Sequence, residues 1–198
     1  MFETFSPFFS KSNGGGGKYH QIWCAEYDFT NPDRRPIRHP ERAEALRRLG
    51  AEVMQGDLID LTSMHRAIEG CERVYFGMSV SADYLAATVN AAAVARHHGV
   101  EAFVNMSQMT VTQMSIPETT DSPQHKLHWL AEQALSWSGL AVVTMRPTVF
   151  LEGFFLLLAP PDVRDADKLA LPMGGGKTSP ISAVDVARAV SRMGLFCL

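Results

Sequence analysis

Residues 38–76 read RHPERAEALRRLGAEVMQGDLIDLTSMHRAIEGCERVYF, and this stretch decides the fold class. Pro40 suits the first turn of a helix, because its missing N–H would be unpaired there in any case. Gly50 can end that helix in the left-handed conformation. A short strand over residues 51–54 and a second helix, with Asp60 as its N-cap, are predicted to follow. The stretch therefore alternates helix and strand at close spacing.

The same alternation continues further along the chain. We predict strands at residues 73–76, 102–106 and 140–145, with helices at residues 83–98 and 122–138. The strand at 102–106 is almost continuously apolar, as expected of a strand that helices cover on both sides. One apolar face of the helix at 83–98 is predicted to pack against the core: Leu85, Val89, Ala92 and Ala93. Strand–helix–strand units form right-handed crossovers, so we predict an α/β fold with a doubly wound parallel sheet.

After Arg146 the regular alternation stops. Residues 151–180 are rich in proline and glycine and predict loops. Ser182 and Asp185 then have the spacing of a capping box, with Asp in place of Glu, and indicate a helix to about Met193. We therefore predict three parts of the chain: residues 1–35 as an irregular segment, residues 36–150 as the main domain, and residues 151–198 as a small cap segment with a final helix.

The 198-residue chain has the composition of an ordinary globular protein, with 46% hydrophobic and 20% charged residues. Its net charge of −3 gives no electrostatic basis for binding nucleic acid or an anionic membrane surface. No apolar run approaches the ~20 residues that span a bilayer, and residues 1–11 lack the pattern of a signal peptide. The three cysteines are scattered without metal-ligand spacing. We expect a cytoplasmic protein with free thiols and with no nucleic acid or membrane as partner.

Four segments together resemble the landmarks of one family. They are the 38–76 stretch, FVNMSQM at 103–109, SGLAVVTMRPTVFLEGF at 138–154 and SPISAVDVARAV at 179–190. Their order and spacing are similar to those of the NmrA-like family of atypical short-chain dehydrogenases/reductases. The resemblance runs from residue 36 to residue 194. It implies a Rossmann-like fold that binds NAD(P), with a small substrate-binding cap.

The resemblance implies a cofactor site at the carboxyl ends of the strands, where open parallel sheets bind ligands. The implied cofactor contacts are Gly14, Gly17, Arg38, Asp57, Leu58, Met78, Ser79, Ser107, Gln108, Pro147 and Thr148. Arg38 would face the adenosine 2′-phosphate, and no acidic residue is placed to bind a free ribose diol, so NADP(H) is favoured over NAD(H). Four of these residues also have a purely structural interpretation: Arg38 as a surface charge, Asp57 as a turn former, Ser107 as a loop serine bonded to backbone, and Pro147 as a residue that redirects the chain.

The glycine-rich segment departs from the family's pattern. Gly14 and Gly17 fit the first part of a GxxGxxG phosphate loop, but His20 occupies the third position. Residues 1–11 make a poor buried strand, and residues 18–36 lack helical periodicity. Two interpretations of the glycines stay open, a flexible linker and a phosphate loop. The first strand and the glycine loop of the fold are therefore predicted to be degenerate.

The Tyr-x-x-x-Lys pair of typical short-chain dehydrogenases is missing from the sequence. In that pair the lysine lowers the pKa of the tyrosine, which can then shuttle a proton. His128 and Ser107 are the catalytic candidates here, since His128 lies near the corresponding helix start and an imidazole has a suitable intrinsic pKa. The alternative for His128 is an exposed pair with Glu132, four residues on. His97 and His98 are predicted to stabilise a helix C-terminus, and no metal site is predicted.

These features give three hypotheses about function. The first is an NADPH-dependent oxidoreductase that acts on a small carbonyl or quinone-like acceptor, an activity that the resemblance implies. The second is a non-catalytic NADP-sensing regulator with a protein partner, which the missing Tyr/Lys pair favours. The third is an inactive truncated product, because loss of a central strand would expose a sheet edge and cost several kcal/mol of a total stability of about 5–15 kcal/mol.

Overall fold

The computed structural model describes residues 56–154 and 177–196, together with five single positions, Glu44, Arg47, Arg48, Met54 and Asp167. Its sheet has three parallel strands, β1 (Arg73–Phe76), β2 (Ala102–Met106) and β3 (Val142–Met145), in the order β1-β2-β3. Phe103 of β2 lies opposite Val74 of β1 and Val142 of β3. The predicted α/β class with a parallel sheet is therefore confirmed. The predictions for the first strand and the glycine loop lie outside the described residues.

Five α-helices and one 3₁₀ helix lie in the described part of the chain: α1 (Leu61–Ile68), α2 (Tyr84–His97), the 3₁₀ helix Met109–Gln113, α3 (Pro123–Trp137), α4 (Leu151–Phe154) and α5 (Ala183–Phe196). Asp60 caps α1, because its carboxylate accepts hydrogen bonds from the N–H groups of Thr62 and Ser63 at 3.2 and 2.9 Å. Gly70 and Gly99 follow α1 and α2 with φ of 76° and 69°, the left-handed conformation that glycine adopts without strain. The sequence therefore predicts these helix boundaries well.

Helices cover both faces of the sheet. On one face α1, α2 and α3 pack against Phe76 and Phe103, which are fully buried. On the other face Val186 and Val190 of α5 pack against Val104. The near-continuous apolar pattern of β2 reflects this double coverage, as predicted.

The buried face of α2 differs from the predicted one. Ala87, Ala91 and Ala95 are fully buried, whereas Val89 is 46% exposed and Ala93 is also exposed. The prediction that Val89 and Ala93 face the core is wrong. Small alanine side chains fill much of the packed face, which also holds Tyr84 and Val94.

The segment after β3 returns to the sheet through α5. Phe150 forms a parallel bridge with Ile181, whose N–H donates to the Val149 carbonyl at 3.0 Å. Ser182 opens α5 as predicted, since its Oγ accepts the Asp185 N–H at 3.1 Å and donates to the Asp185 carboxylate at 2.9 Å. Residues 151–154, which the sequence predicts as loop, form the short helix α4. Among the helices described, none has the length and apolar character that crossing a membrane requires.

Candidate functional site

Three of the predicted site loops meet at one edge of the sheet. Because β1, β2 and β3 are parallel neighbours, the loops that follow them leave from the same side. The Ser107 N–H donates to the Met145 carbonyl at 2.8 Å, and the Met109 N–H donates to the Pro147 carbonyl at 2.9 Å. Backbone hydrogen bonds therefore hold the loop after β2 directly against the loop after β3.

The loop after β1 begins at Gly77, where the backbone passes close to the Tyr75 side chain. A Cβ atom on Gly77 would lie 2.6 Å from the Tyr75 hydroxyl, so a larger residue there would displace the tyrosine. Met78 is half-buried and packs against the core, whereas Ser79 is exposed. Of this pair, the structure therefore leaves the Ser79 side chain accessible at the carboxyl edge.

Asp57 and Leu58 lie just before α1. The Asp57 carboxylate accepts the Ile59 N–H at 3.0 Å, so it orders the local turn, as its structural interpretation predicted. The Leu58 side chain is only 7% exposed and belongs to the core, and its carbonyl accepts a hydrogen bond from the Asn90 amide at 3.3 Å. This loop is therefore anchored on α2. A contact of Leu58 with a ligand stays a prediction.

The end of β2 holds a cluster of buried polar atoms that lack a hydrogen-bond partner within the described part of the chain. They are both side-chain amide atoms of Asn105, the Ser107 hydroxyl and the Gln108 amide nitrogen. Asn105 is fully buried and Ser107 is 4% exposed. A buried polar group left unpaired costs about 1–3 kcal/mol, so a polar ligand that bonded these atoms would regain that free energy. The residues at this edge therefore fit a polar ligand such as a dinucleotide.

His128 is buried against Tyr84, which the sequence did not single out. The Tyr84 hydroxyl lies 2.9 Å from His128 Nδ1, and the two rings pack edge to face with centroids 4.9 Å apart. The same hydroxyl donates to the Met106 carbonyl at 3.4 Å. Burial lowers the pKa of His128 to about 4, with the neighbouring Glu132 charge opposing the shift. At neutral pH His128 is therefore an uncharged imidazole that ties α2, α3 and the end of β2 together.

The alternative prediction, that His128 forms an exposed pair with Glu132, is wrong. His128 is only 7% exposed, and the Glu132 carboxylate binds Arg146 instead. Arg146 Nε donates to Glu132 Oε1 at 3.0 Å and Nη2 donates to Oε2, which makes a two-pronged ion pair. The hydrogen bond to Glu132 raises the pKa of Arg146. This pair fixes α3 to the end of β3, next to Pro147.

The C-terminal segment is attached to the loop after β3. The Thr148 hydroxyl donates to the Ser179 carbonyl, and both carboxylate oxygens of Glu152 accept the Ala183 N–H at 3.0 Å. The Thr148 hydroxyl therefore uses its proton in a hydrogen bond to the backbone, although its oxygen can still accept a hydrogen bond. Pro147 is buried within the same loop.

Some predicted site residues cannot be placed against this geometry. Gly14, Gly17 and Arg38 lie outside the described residues, as do residues 51–53 of the predicted strand. Conversely, the structure places Asn105, Tyr84 and the Glu132–Arg146 pair at the site, and the sequence analysis did not predict them there. A carboxamide inside the apolar run Phe103 to Met106 was the signal for Asn105, because an asparagine in a doubly covered strand needs a partner.

Comparison with known proteins shows which family this arrangement represents. A family model described as NAD(P)H-binding matches residues 34–193. The chain belongs to this NAD(P)H-binding family. The resemblance drawn from the sequence is confirmed at that level. The NAD(P)H azoreductase of Xenophilus azovorans is 27% identical over 158 residues, which are 79% of this chain and 52% of that protein.

Solved structures with the same fold are also known. The NADPH-dependent quinone oxidoreductase of Escherichia coli, in complex with NADPH, is 23% identical with a TM-score of 0.65, over 78% of this chain and 52% of that one. The triphenylmethane reductase of Citrobacter sp., in complex with NADP(H), is 20% identical with a TM-score of 0.64, over 78% and 53%. These likenesses confirm a Rossmann-like fold. This chain spans about half the length of the relatives it matches.

Proposed function

We propose that this chain binds NADPH and serves as an NmrA-like, cytoplasmic reductase of a small carbonyl, quinone-like or azo acceptor. Membership in the NAD(P)H-binding family supports the nucleotide. The names of its relatives, an azoreductase and a quinone oxidoreductase, support reduction of a small acceptor. The observation that carries the proposal is the group of unpaired buried polar atoms on Asn105, Ser107 and Gln108 at the carboxyl edge of the sheet.

The residues of this edge would share the work of binding and orientation. Ser107 and Gln108 offer a hydroxyl and an amide to a polar ligand, and the backbone bonds to the loop after β3 fix where these two residues lie. Arg38 is proposed to pair with a 2′-phosphate, which would favour NADPH over NADH. Bound NADPH supplies a hydride. Ser107 is the candidate catalytic hydroxyl, because it can donate a hydrogen bond to an acceptor oxygen or nitrogen.

His128 is proposed as a positioning residue in place of the proton donor expected from its intrinsic pKa. With a pKa of about 4 it is uncharged at neutral pH, and its Nδ1 is occupied by Tyr84. It supports Met106, the residue before Ser107, through the Tyr84 hydroxyl. Replacing it should therefore change nucleotide affinity and stability together.

The test is a titration of the full chain with NADPH and with NADH, followed by nucleotide fluorescence. We expect saturable binding with NADPH favoured, and weaker binding of NADPH to Arg38→Ala with binding of NADH unchanged. Consumption of NADPH is then measured with quinones, azo dyes and small carbonyls. If the folded chain bound neither nucleotide, the proposal would be wrong.

A nucleotide sensor is the second candidate function, and one observation favours it. None of the four tyrosines has a lysine four residues later: Tyr19, Tyr27, Tyr75 and Tyr84. The Tyr84 hydroxyl is moreover fully buried and bonded to His128. A sensor should bind NADPH without consuming it across the whole acceptor panel, and its affinity for a protein partner should respond to the nucleotide. Turnover of any acceptor at a saturable rate would exclude a purely sensing role.

A further inference from the structure

Three histidines form a cluster that the nucleotide site does not include. One ring nitrogen from each of His65, His97 and His98 lies within 4.8 Å of the others. The His98 Nε2 and His65 Nδ1 atoms are 3.0 Å apart, and these two rings stack with centroids 4.7 Å apart. The side chains of His65 and His97 are exposed and that of His98 is half-buried. One nitrogen of each imidazole therefore lies close to the other two on an accessible part of the surface.

The cluster lies at the end of the molecule opposite the nucleotide edge. His65 is in the last turn of α1, and β1 begins shortly after that helix at Arg73. His97 ends α2, and His98 is its C-cap, just before β2 begins at Ala102. The amino ends of the parallel strands are thus next to the three histidines. A ligand bound there would not touch the loops at the carboxyl ends.

The helix dipoles at this end favour a cation, and they act against the charge of Arg66 in the last turn of α1. The C-terminal ends of α1 and α2 each carry the negative end of a helix dipole, about half an elementary charge. The nearest arginine of α2, Arg96, is held elsewhere by a hydrogen bond from its guanidinium to the Ser138 carbonyl at 2.8 Å. In the 3.0 Å contact between His98 Nε2 and His65 Nδ1, one ring nitrogen accepts a hydrogen bond, and a ring nitrogen with an available lone pair is what a metal ion binds.

We propose that His65, His97 and His98 form a binding site for a divalent transition-metal ion that prefers imidazole, with Zn²⁺ as the ion. Zinc takes nitrogen ligands at about 2.0–2.1 Å in tetrahedral geometry, which puts neighbouring ligand nitrogens about 3.4 Å apart. The 3.0 Å pair is already near this spacing, and a rotation of the exposed His97 side chain would bring its nitrogen, which lies within 4.8 Å of the other two, to the same distance. Water completes the fourth position. Mg²⁺, which prefers oxygen ligands, does not suit the site.

The ion would join two helices that the chain otherwise connects through β1. His65 belongs to α1 and the other two ligands to the end of α2, so the metal bridges elements 32 or more positions apart. Any ligand that binds only the folded state stabilises it, and a bridge of this kind should raise the unfolding temperature. The stabilisation is independent of nucleotide binding, because the site lies at the opposite end of the sheet.

The experiment titrates ZnCl₂ and MgCl₂ into the full chain by calorimetry and repeats the zinc titration with His65→Ala, His97→Ala and His98→Ala. His125→Ala is the matched control, because it removes a histidine of α3 outside the cluster. We expect a site that takes one zinc per chain and no magnesium. Each cluster variant should weaken that site by more than the roughly 10–100-fold that loss of an outer-shell partner costs, with the control unchanged.

Two further measurements keep the proposal falsifiable. Cobalt bound at the site should give the visible absorption bands of tetrahedral Co²⁺, and these should be absent from His65→Ala. Zinc should raise the unfolding temperature of the parent chain and of His125→Ala, and not that of His65→Ala. Zinc affinity that is unchanged in all three cluster variants would overturn the proposal, as would an equal loss in His125→Ala or no zinc binding at all. None of these outcomes depends on nucleotide binding.

Discussion

Ser107→Ala should have effects of opposite sign on the stability of the nucleotide-free protein and on its affinity for nucleotide. The Ser107 side chain is 4% exposed, and its hydroxyl has no hydrogen-bond partner within the described part of the chain. Removing an unpaired buried hydroxyl should recover part of its desolvation cost of about 1–3 kcal/mol. For a chain of this size, each recovered kcal/mol corresponds to roughly 2–4 °C in unfolding temperature. The variant should therefore unfold at a higher temperature than the parent.

Nucleotide affinity should change in the other direction. A hydrogen bond between the hydroxyl and a bound ligand contributes about 0.5–1.5 kcal/mol, so its loss should weaken binding about 2- to 12-fold. The two measurements are thermal unfolding without nucleotide and fluorescence titration with NADPH. Lower stability combined with unchanged affinity would refute the argument, because it would show that the Ser107 hydroxyl is satisfied within the protein.

Ser138→Ala is the matched control for this experiment. The Ser138 hydroxyl donates to the Leu135 carbonyl at 2.6 Å and accepts the Leu140 N–H at 3.2 Å. Its removal should cost about 0.5–1.5 kcal/mol of stability and should leave NADPH affinity unchanged. The same chemical change at a paired and at an unpaired serine thus predicts opposite shifts in unfolding temperature.

Three further predictions concern the groups that support the site. Tyr84→Phe should lower the unfolding free energy by about 1–3 kcal/mol, as judged by urea titration, because it leaves His128 Nδ1 buried without its partner. His128 has a folded-state pKa of about 4, below its ordinary 6.5, so its contribution to the unfolding free energy is complete above pH 6.5 and is lost as pH falls toward 4. Urea titrations should show a loss of about 3 kcal/mol over this pH range, and His128→Gln should lack that loss. Arg146→Ala should lower the unfolding temperature more than the double change Glu132→Leu with Arg146→Leu does. Only the single change leaves the Glu132 carboxylate, which is 5% exposed, without its counter-ion. An equal or smaller loss in Arg146→Ala would contradict this prediction.

Local sequence patterns predicted most of the fold that the structure describes. The run Arg73 to Phe76 is short, β-branched and aromatic, and it forms β1 over the same residues. Gly70 and Gly99 mark helix ends because a backbone conformation with positive φ strains other residues. The packed face of α2 was not predictable in the same way. Its sequence is rich in alanine on several faces, so the choice of face depends on neighbouring helices that a local pattern does not contain.

The candidate site was harder to predict because its contacts are long-range. His128 and Glu132 are four residues apart and suggest a helical pair, yet their partners are Tyr84, 44 positions away, and Arg146, 14 positions away. Buried partners outweigh an exposed i,i+4 pair, which stabilises a helix by only about 0.2–0.5 kcal/mol. The loop tips could be predicted, because parallel topology alone brings them to one edge.

The contact between Glu152 and Ala183 has a consequence for the order in which the chain assembles. The Ala183 N–H at the start of α5 obtains its acceptor from a residue 31 positions earlier. Contacts of such sequence separation form late, because the ends of the intervening chain must first come together. During synthesis, α5 can therefore reach its final register only after β3 and α4 have emerged and folded. A peptide of residues 182–196 alone should be less helical than the same residues are within the protein.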